Sequence, residues 1–523
     1  MIAPAPVAAR DILPDAVCAA PSDRRLYAIN LAVATAVVLS LPLLAYTRVM
    51  LFSFYVRGSF LLDVGLFADL LWHSDLALTQ PSSVGGSSYF AIHATPLFLP
   101  IALLSRALPL SMPQFFSVFI AAVQTLPGVA IFWMAVAGDA RRGLVTPWLA
   151  ALAGLGFAFS GLAIAILRYP HFEPLIAGFF LLFITALVRG RPRLATAFFA
   201  CGLLVREDAG LHYLAVLGLL IALDVKQGVS LRKQRLIVGF AVAGLLYSCL
   251  AMLAQHLAFP SRASSFSLVY LGNPPLAHLT ASALRDRLLY FIGNRPYIWV
   301  PACAVGLWAR IAREPFLAIG YLACVPWLAL QLLAASPFAA ALASYYAFPC
   351  LIGMAWPLVA ILYRRTGTGG AISALAGFAI AILLSFLPGH DLHDPGRLPV
   401  VRAFLQAPPS AAQQADIEQA VAAISNARPQ LGQLLADNSI VALSPNAFAR
   451  TEVETTPGIG AYNTETADTV AFFADGYDGA HFRALAETDG LMNHYGIKGT
   501  PLHLASRFRL TDVPGLNASI VPE

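Results

Sequence analysis

Two carboxylates in one short apolar segment carry the first chemical signal. The segment runs Phe60-Leu-Leu-Asp-Val-Gly-Leu-Phe-Ala-Asp-Leu-Leu-Trp72 and places Asp63 and Asp69 six residues apart. On a helix those two positions lie about 240° apart around the axis, and with the surrounding leucines, Phe67 and Trp72 they suit a helix lying in a membrane interface. A carboxylate held at the water edge of a lipid-embedded protein is placed to take a proton from a substrate delivered by lipid. Asp63, flanked by apolar and aromatic side chains, is the expected catalytic base, and Asp69 the expected wet face of the same segment.

A second polar group is Arg206-Glu207-Asp208, which interrupts the apolar stretch from Leu194 to Leu223. Charge inside a membrane is costly unless it is paired or faces water. One reading is a capped hairpin tip with Arg206 paired to an acid; the other is that Arg206 contacts a lipid phosphate or that Glu207 and Asp208 line a cavity. The turn His171-Phe-Glu-Pro174 offers a second acid, Glu173, beside an imidazole. His93 stands before Thr95-Pro96, and Tyr345-Tyr346 open an apolar stretch, where an aromatic belt is the simpler explanation.

The elements that must position these residues follow from composition. The chain has 523 residues, 58% hydrophobic and only 12% charged, with a mean hydropathy of +0.71. Soluble domains carry roughly a quarter of their residues as charges, so this is a polytopic membrane protein. Residues 1–25 read as a cytoplasmic tail without the apolar core of a signal peptide. Apolar runs of spanning length, roughly 17 to 25 residues, occupy residues 26–388. Residues 389–523 are polar and mixed, and read as a separate soluble domain.

The basic residues cluster in short loops: Arg24-Arg25, Arg141-Arg142, Arg189 to Arg193, Lys226 to Arg235, Arg310 with Arg313, and Arg364-Arg365. Placing all of them in the cytoplasm predicts spans near 26–48, 114–138, 146–167, 172–188, a tight hairpin within 194–224, and spans near 236–258, 297–312, 314–335, 343–363 and 370–388. The outer loop 50–95, residues 168–173, the tip of the 194–224 hairpin, the loop 259–296 and the C-terminal domain then share the outer face. The piece 96–108 is short for a crossing, and a re-entrant or partly embedded geometry reconciles it with the charge pattern.

Other chemistries lack a basis. No phosphate-binding glycine loop, Walker lysine, zinc-protease helix or nucleophile elbow is present. The six cysteines show neither disulfide nor zinc spacing, and the net charge of +5 needs no nucleic-acid partner. The acids Asp63, Asp69 and Glu173 offer oxygen ligands for a divalent cation, but their spacing does not indicate one, and the cofactor stays unknown.

The ordered motifs Asp63-Val-Gly-Leu-Phe-Ala-Asp-Leu-Leu-Trp72, His93-Ala-Thr-Pro96, His171-Phe-Glu-Pro174, Arg206-Glu-Asp-Ala-Gly-Leu211 and Tyr345-Tyr-Ala-Phe-Pro349 resemble those of the bacterial membrane-protein family called domain of unknown function 2079. The resemblance runs to about residue 365, and Ser439-Ile-Val-Ala-Leu-Ser-Pro445 resembles the start of that family's soluble tail. That family is in turn similar to the GT-C glycosyltransferases, polytopic enzymes that use polyprenyl-phosphate sugars and carry an essential acid in the first outer loop. The resemblance implies an all-α polytopic membrane domain of about 10–12 transmembrane helices, GT-C-like, with a small α/β soluble C-terminal domain, in the bacterial inner membrane. Arg206 stands where lysine is common in the family, which keeps the charge but alters the geometry toward phosphate.

The function so implied is transfer of a sugar from a polyprenyl-phosphate donor to an envelope acceptor by inverting displacement. Asp63 acts as base, and Glu173 orients the acceptor. Asp69, His93, His171, Arg206, Glu207, Asp208, Tyr345 and Tyr346 are the expected substrate-binding residues. A polytopic transporter is the first alternative, although no internal repeat of the kind transporters show is visible. A non-catalytic envelope-assembly scaffold is the second. In the C-terminal domain, Gln413–Ala427 is predicted as helix, Ile440–Leu443 and Thr469–Phe473 as strands, and Ala480–Ala486 as a helical piece, while Asp475 to Gly479 reads as a turn.

Overall fold

The computed structural model describes residues 21–57, 67–68, 70–72, 77–78, 88–139, 146–167, 170–260, 267–342, 344–364, 368–389, 404–436, 440, 443, 454–455, 467–474, 479–488 and 490–523. The fold is mostly helical with a small C-terminal sheet. The apolar runs become α1 (Pro21–Phe52), α2 (Phe98–Ala107), α3 (Met112–Asp139), α4 (Pro147–Ala158), α5 (Gly161–Leu167), α6 (Pro174–Val188) and α7 (Pro192–Leu203). They continue as α8 (Ala209–Lys226), α9 (Arg235–Ala258), α10 (Ala281–Asn294), α11 (Pro296–Ile311), α12 (Ile319–Leu332), α13 (Pro349–Arg364) and α14 (Thr368–Leu384).

Among the described residues six helices are long and apolar enough to cross a membrane, or seven when α4 and α5, bent by 43°, count as one broken span. About 10–12 were expected, and shorter apolar helices stand beside these six or seven. The 10-residue α2 and 15-residue α6 reach only about 15 and 22 Å at 1.5 Å per residue, against about 30 Å of hydrocarbon.

Side-chain contacts fix the helix directions. Arg189 Nη1 donates to the Ala137 carbonyl at 2.6 Å, joining the ends of α6 and α3, and Tyr363 donates to Asp224 at 2.6 Å, joining the ends of α13 and α8. Trp308 near the end of α11 donates to Ser373 near the start of α14. The basic clusters from Arg189 to Arg193, Lys226 to Arg235, and Arg310 with Arg313 therefore share one end of the bundle. Helices α3, α6, α8 and α13 all begin at the other end.

Small residues permit close packing. A methyl added at Gly210 of α8 would lie 2.0 Å from the Gly244 carbonyl of α9, and one at Gly128 of α3 would lie 2.7 Å from the Gly154 carbonyl of α4. Backbones at such distances exclude any side chain, as is usual where membrane helices meet.

The C-terminal unit contains α15 (Ala411–Asn426) and α16 (Gly479–Thr488) with strands β1 (Leu434–Ala436), β2 (Glu454–Thr455), β3 (Thr469–Phe473), β4 (Asn493–Ile497), β5 (Leu502–Ser506) and β6 (Ile520–Pro522). The sheet order is β2-β1-β3-β5-β4-β6, parallel among the first three and antiparallel thereafter. Strand β3 coincides with its predicted range, and α15 opens with a capping box from Ser410 and Gln413. Of the strand predicted at Ile440–Leu443, the described residues Ile440 and Leu443 are helical, and the parallel strand beside β3 is the buried Leu434–Ala436. A short apolar run cannot by itself tell strand from helix. Asp475 and Asp478 of the predicted turn lie outside the described residues.

This unit packs on the end of the bundle where α3 begins. Tyr55 donates to Glu418 at 2.5 Å, Gln114 donates to Gln414 at 3.3 Å, and the rings of Tyr46 and Phe404 meet at 5.6 Å.

Candidate functional site

Four motifs far apart in the chain meet at that same end. Pro174 and Pro349 start α6 and α13, a position where the missing N–H costs nothing. Arg206, Glu207 and Asp208 form the turn between α7 and α8. Each motif thus sits immediately before a helix that starts at the shared end, so its polar residues are delivered there together.

Arg206 is the centre. Its Nη1 donates to Glu173 Oε1 at 3.0 Å, its Nε donates to Asp208 Oδ1 at 2.7 Å, and its Nη2 donates to Asp208 Oδ2. The forked contact with Asp208 is the bidentate geometry that favours arginine over lysine. His171 Nδ1 meets the other Glu173 oxygen at 3.0 Å. Glu207 turns toward the preceding motif, with His93 Nδ1 at 2.9 Å and the Ala94 N–H donating to it at 2.9 Å. The Leu97 N–H adds a bond to the Leu204 carbonyl at 3.0 Å.

Aromatic rings enclose this network. His171 stacks on Tyr345 with centroids 3.9 Å apart and planes 3° from parallel, and Tyr345 meets Tyr346 at 4.2 Å. Phe67, from the Asp63 motif, packs edge-on against His171 at 5.2 Å. Arg206 lies 5.9 Å from the ring centre of Trp327, whose indole N–H donates to the Tyr346 carbonyl at 2.7 Å.

The side chains of Glu173 and Arg206 are only 3% and 6% exposed, so their charges must compensate each other or be neutralised. Burial opposes ionisation of Glu173, but the charge and hydrogen bond of His171 and the charge of Arg206 outweigh it and hold the carboxyl at about 2. Burial likewise opposes charge on Asp208, and Arg206 overcomes it, keeping this carboxyl well below its ordinary range. Arg206 stays fully charged because its carboxylates, Asp208 foremost, outweigh the cost of burial. Glu173, Glu207 and Asp208 face one guanidinium, leaving two negative charges in excess while the histidines are neutral.

The structure thus joins His93, His171, Glu173, Arg206, Glu207, Asp208, Tyr345 and Tyr346. Asp63 and Asp69 lie outside the described residues. Among the described residues no group of three or more histidine, cysteine or acidic side chains is arranged to hold a metal ion. Arg295, one of the charges expected on the outer loops, is instead buried and donates to the Ala341 and Leu342 carbonyls, where it ties α11 to the turn before Tyr345.

Sequence reasoning missed His212, Tyr270, Trp327 and Gln331. His212 follows Asp208 by four residues, one helical turn, and its Nε2 lies 3.8 Å from Asp208 Oδ2. That distance exceeds a hydrogen bond, so the two interact through charge. The i,i+4 spacing was visible in the chain. Trp327 and Gln331 look like ordinary members of an apolar helix until α12 is packed.

No protein-family profile matches the chain, and no curated protein matches it. Among solved structures, the apo crystal structure of the Archaeoglobus fulgidus oligosaccharyltransferase is similar with a TM-score of 0.39 and 11% identity, over 97% of this chain and 77% of that one. At that TM-score the likeness carries no argument about function.

Proposed function

We propose that this chain is a membrane glycosyltransferase that moves a sugar from a polyprenyl-phosphate donor to an envelope acceptor. The observation that carries the reading is convergence: two contact chains from four separate motifs, His93–Glu207 and Arg206–Glu173–His171–Tyr345, meet at the adjacent residues Arg206 and Glu207. A bundle needs no such polar centre for stability, since buried ion pairs seldom outweigh the apolar residues that could replace them.

In this reading Asp63 takes the proton of an acceptor hydroxyl, and the acceptor oxygen attacks the anomeric carbon. The bond from that carbon to the phosphate oxygen breaks with its electron pair, and polyprenyl phosphate leaves, inverting the centre. Removal of the proton by a placed carboxylate contributes about 10²- to 10⁴-fold in rate. Arg206 gives three of its five N–H donors to Glu173 and Asp208, and in this reading the other two serve the leaving phosphate. His93, 28% exposed at its side chain, is the more accessible cation once protonated. The basic end of the bundle faces the cytoplasm in this reading, and the C-terminal domain stands outside, where it receives the acceptor.

The scaffold reading draws on the same pairing of Arg206 with Glu173 and Asp208, since a paired network also serves to hold helices together. Incubating the purified protein in nanodiscs with a panel of polyprenyl-phosphate sugars and envelope acceptors decides between them. Transfer from at least one donor is expected, and absence of transfer from every donor overturns the proposal.

A further inference from the structure

Two buried polar atoms beside the ionic network have no hydrogen-bond partner among the described residues: His212 Nε2 and Gln331 Oε1. Gln331 is completely buried and His212 is 8% exposed. Native interiors satisfy nearly all such groups; His212 Nε2 has only the Asp208 carboxylate, 3.8 Å away, and Gln331 Oε1 has no hydrogen-bond partner among the described residues. An unmade bond at a completely buried amide is unfavourable, which marks the Gln331 oxygen as a contact point for a ligand.

Their surroundings define its class. Trp327 and Gln331 are four residues apart on α12 and share one face of that helix. His212 contacts the Trp327 ring edge-on at 4.8 Å. The Gln331 amide donates to the Tyr270 hydroxyl at 2.9 Å, which places its carbonyl oxygen beside that phenol. Trp327, one turn before Gln331 on α12, is also the ring that Arg206 approaches at 5.9 Å, which brings Gln331 beside the ionic cluster. Trp327 and Tyr270 are themselves half-buried, with ring surface left over, and the indole bond to Tyr346 fixes the Trp327 ring. A ring surface next to an amide oxygen without a hydrogen bond and an imidazole nitrogen held only at 3.8 Å from Asp208 suits a ligand with an apolar face and hydroxyl edges.

We infer that Trp327, Tyr270, Gln331 and His212 form a subsite for a sugar ring, with Gln331 accepting a hydrogen bond from one hydroxyl and His212 pairing with another. The inference rests on the glycosyl-transfer reading and assigns the side chains that choose the sugar. A site built to bond hydroxyls rejects a ligand lacking them far more strongly than an apolar site distinguishes sizes.

The experiment measures calorimetric binding of geranyl-phosphoryl hexoses, and of geranyl phosphate without a sugar, to the full chain in nanodiscs free of glycoside detergents. At least one hexose conjugate is expected to bind tenfold or more tightly than geranyl phosphate. Gln331→Leu and His212→Phe should each weaken that conjugate tenfold or more, while the thermal unfolding midpoint stays level or rises. A structural role predicts the opposite pattern, with unchanged binding or binding lost only in step with the fold, and that pattern overturns the subsite. Equal binding of geranyl phosphate and every conjugate also overturns it. If transfer from a long-chain donor persists in either case, the glycosyltransferase reading survives; absence of both binding and transfer removes the two together.

Discussion

The imidazole of His171 lies flat against the phenol ring of Tyr345, 3.9 Å between centroids and 3° from parallel, while its Nδ1 meets Glu173 at 3.0 Å. Two motifs distant in the chain are locked by one stacked pair. Tyr345 sets the plane of the imidazole, and the imidazole aims at the buried carboxylate.

Tyr345→Phe keeps the stacked ring and is expected to retain transfer within a few-fold. Tyr345→Ala removes an aromatic contact worth about 0.5–1.5 kcal/mol beyond its buried area and frees His171 to rotate. Its unfolding midpoint and transfer rate should both fall, measured side by side with the phenylalanine variant. Equal behaviour of the two variants would show that the stack positions nothing.

Breaking the buried ion pair from one side is costlier than removing it whole. Arg206→Met leaves Glu173 and Asp208 as uncompensated buried charges, and about 3–5 kcal/mol of stability should be lost. Adding Glu173→Gln and Asp208→Asn to that variant should recover much of the loss, because the desolvation cost goes with the charges. Denaturation in mixed micelles reads both numbers, and strict additivity of the losses would contradict the paired arrangement.

Glu173 also makes a signed prediction about pH. Its carboxyl is held at about 2 against an ordinary 4.5, so it stabilises the fold fully above about pH 4.5 and loses that contribution as pH falls toward 2. The slope of stability between pH 5 and 3 should shrink in Glu173→Gln. Glu173 does not titrate between pH 5 and 8, so an activity profile that bends in that window should survive the same substitution in shape if any activity remains.

Asp63→Asn tests the assignment of the base. The change preserves size and is expected to lower transfer about 10²- to 10⁴-fold with no shift in the unfolding midpoint. A variant that transfers at the parental rate removes Asp63 from the mechanism.

The C-terminal unit is fastened to the bundle by Tyr55 and Glu418. Tyr55→Phe deletes the donor alone and should cost about 0.5–1.5 kcal/mol of docking. Limited proteolysis between the two units should accelerate several-fold, and an unchanged rate would mean that the apolar contacts of Tyr46 and Phe404 hold the unit unaided.

The chain by itself determined the broad class, because hydropathy acts locally: a run of apolar residues declares a membrane helix whatever its neighbours. It also determined that Arg206-Glu-Asp and His171-Phe-Glu are exceptional, since charge beside such runs must be paired or wet. Among the described residues six or seven helices have spanning length, and shorter apolar helices such as α2 and α6 lie beside them; hydropathy locates such runs but does not say which of them cross. The swap of Ile440–Leu443 for Leu434–Ala436 as strand reflects the sheet's choice of partner, which no local pattern encodes. Only tertiary structure decided that Glu173 pairs with Arg206, that Tyr345 covers His171, and that Trp327 and Gln331 stand beside His212 and Tyr270. These contacts depend on α6, α8 and α13 starting at the same end of the bundle, and that alignment is set by the packing of whole helices.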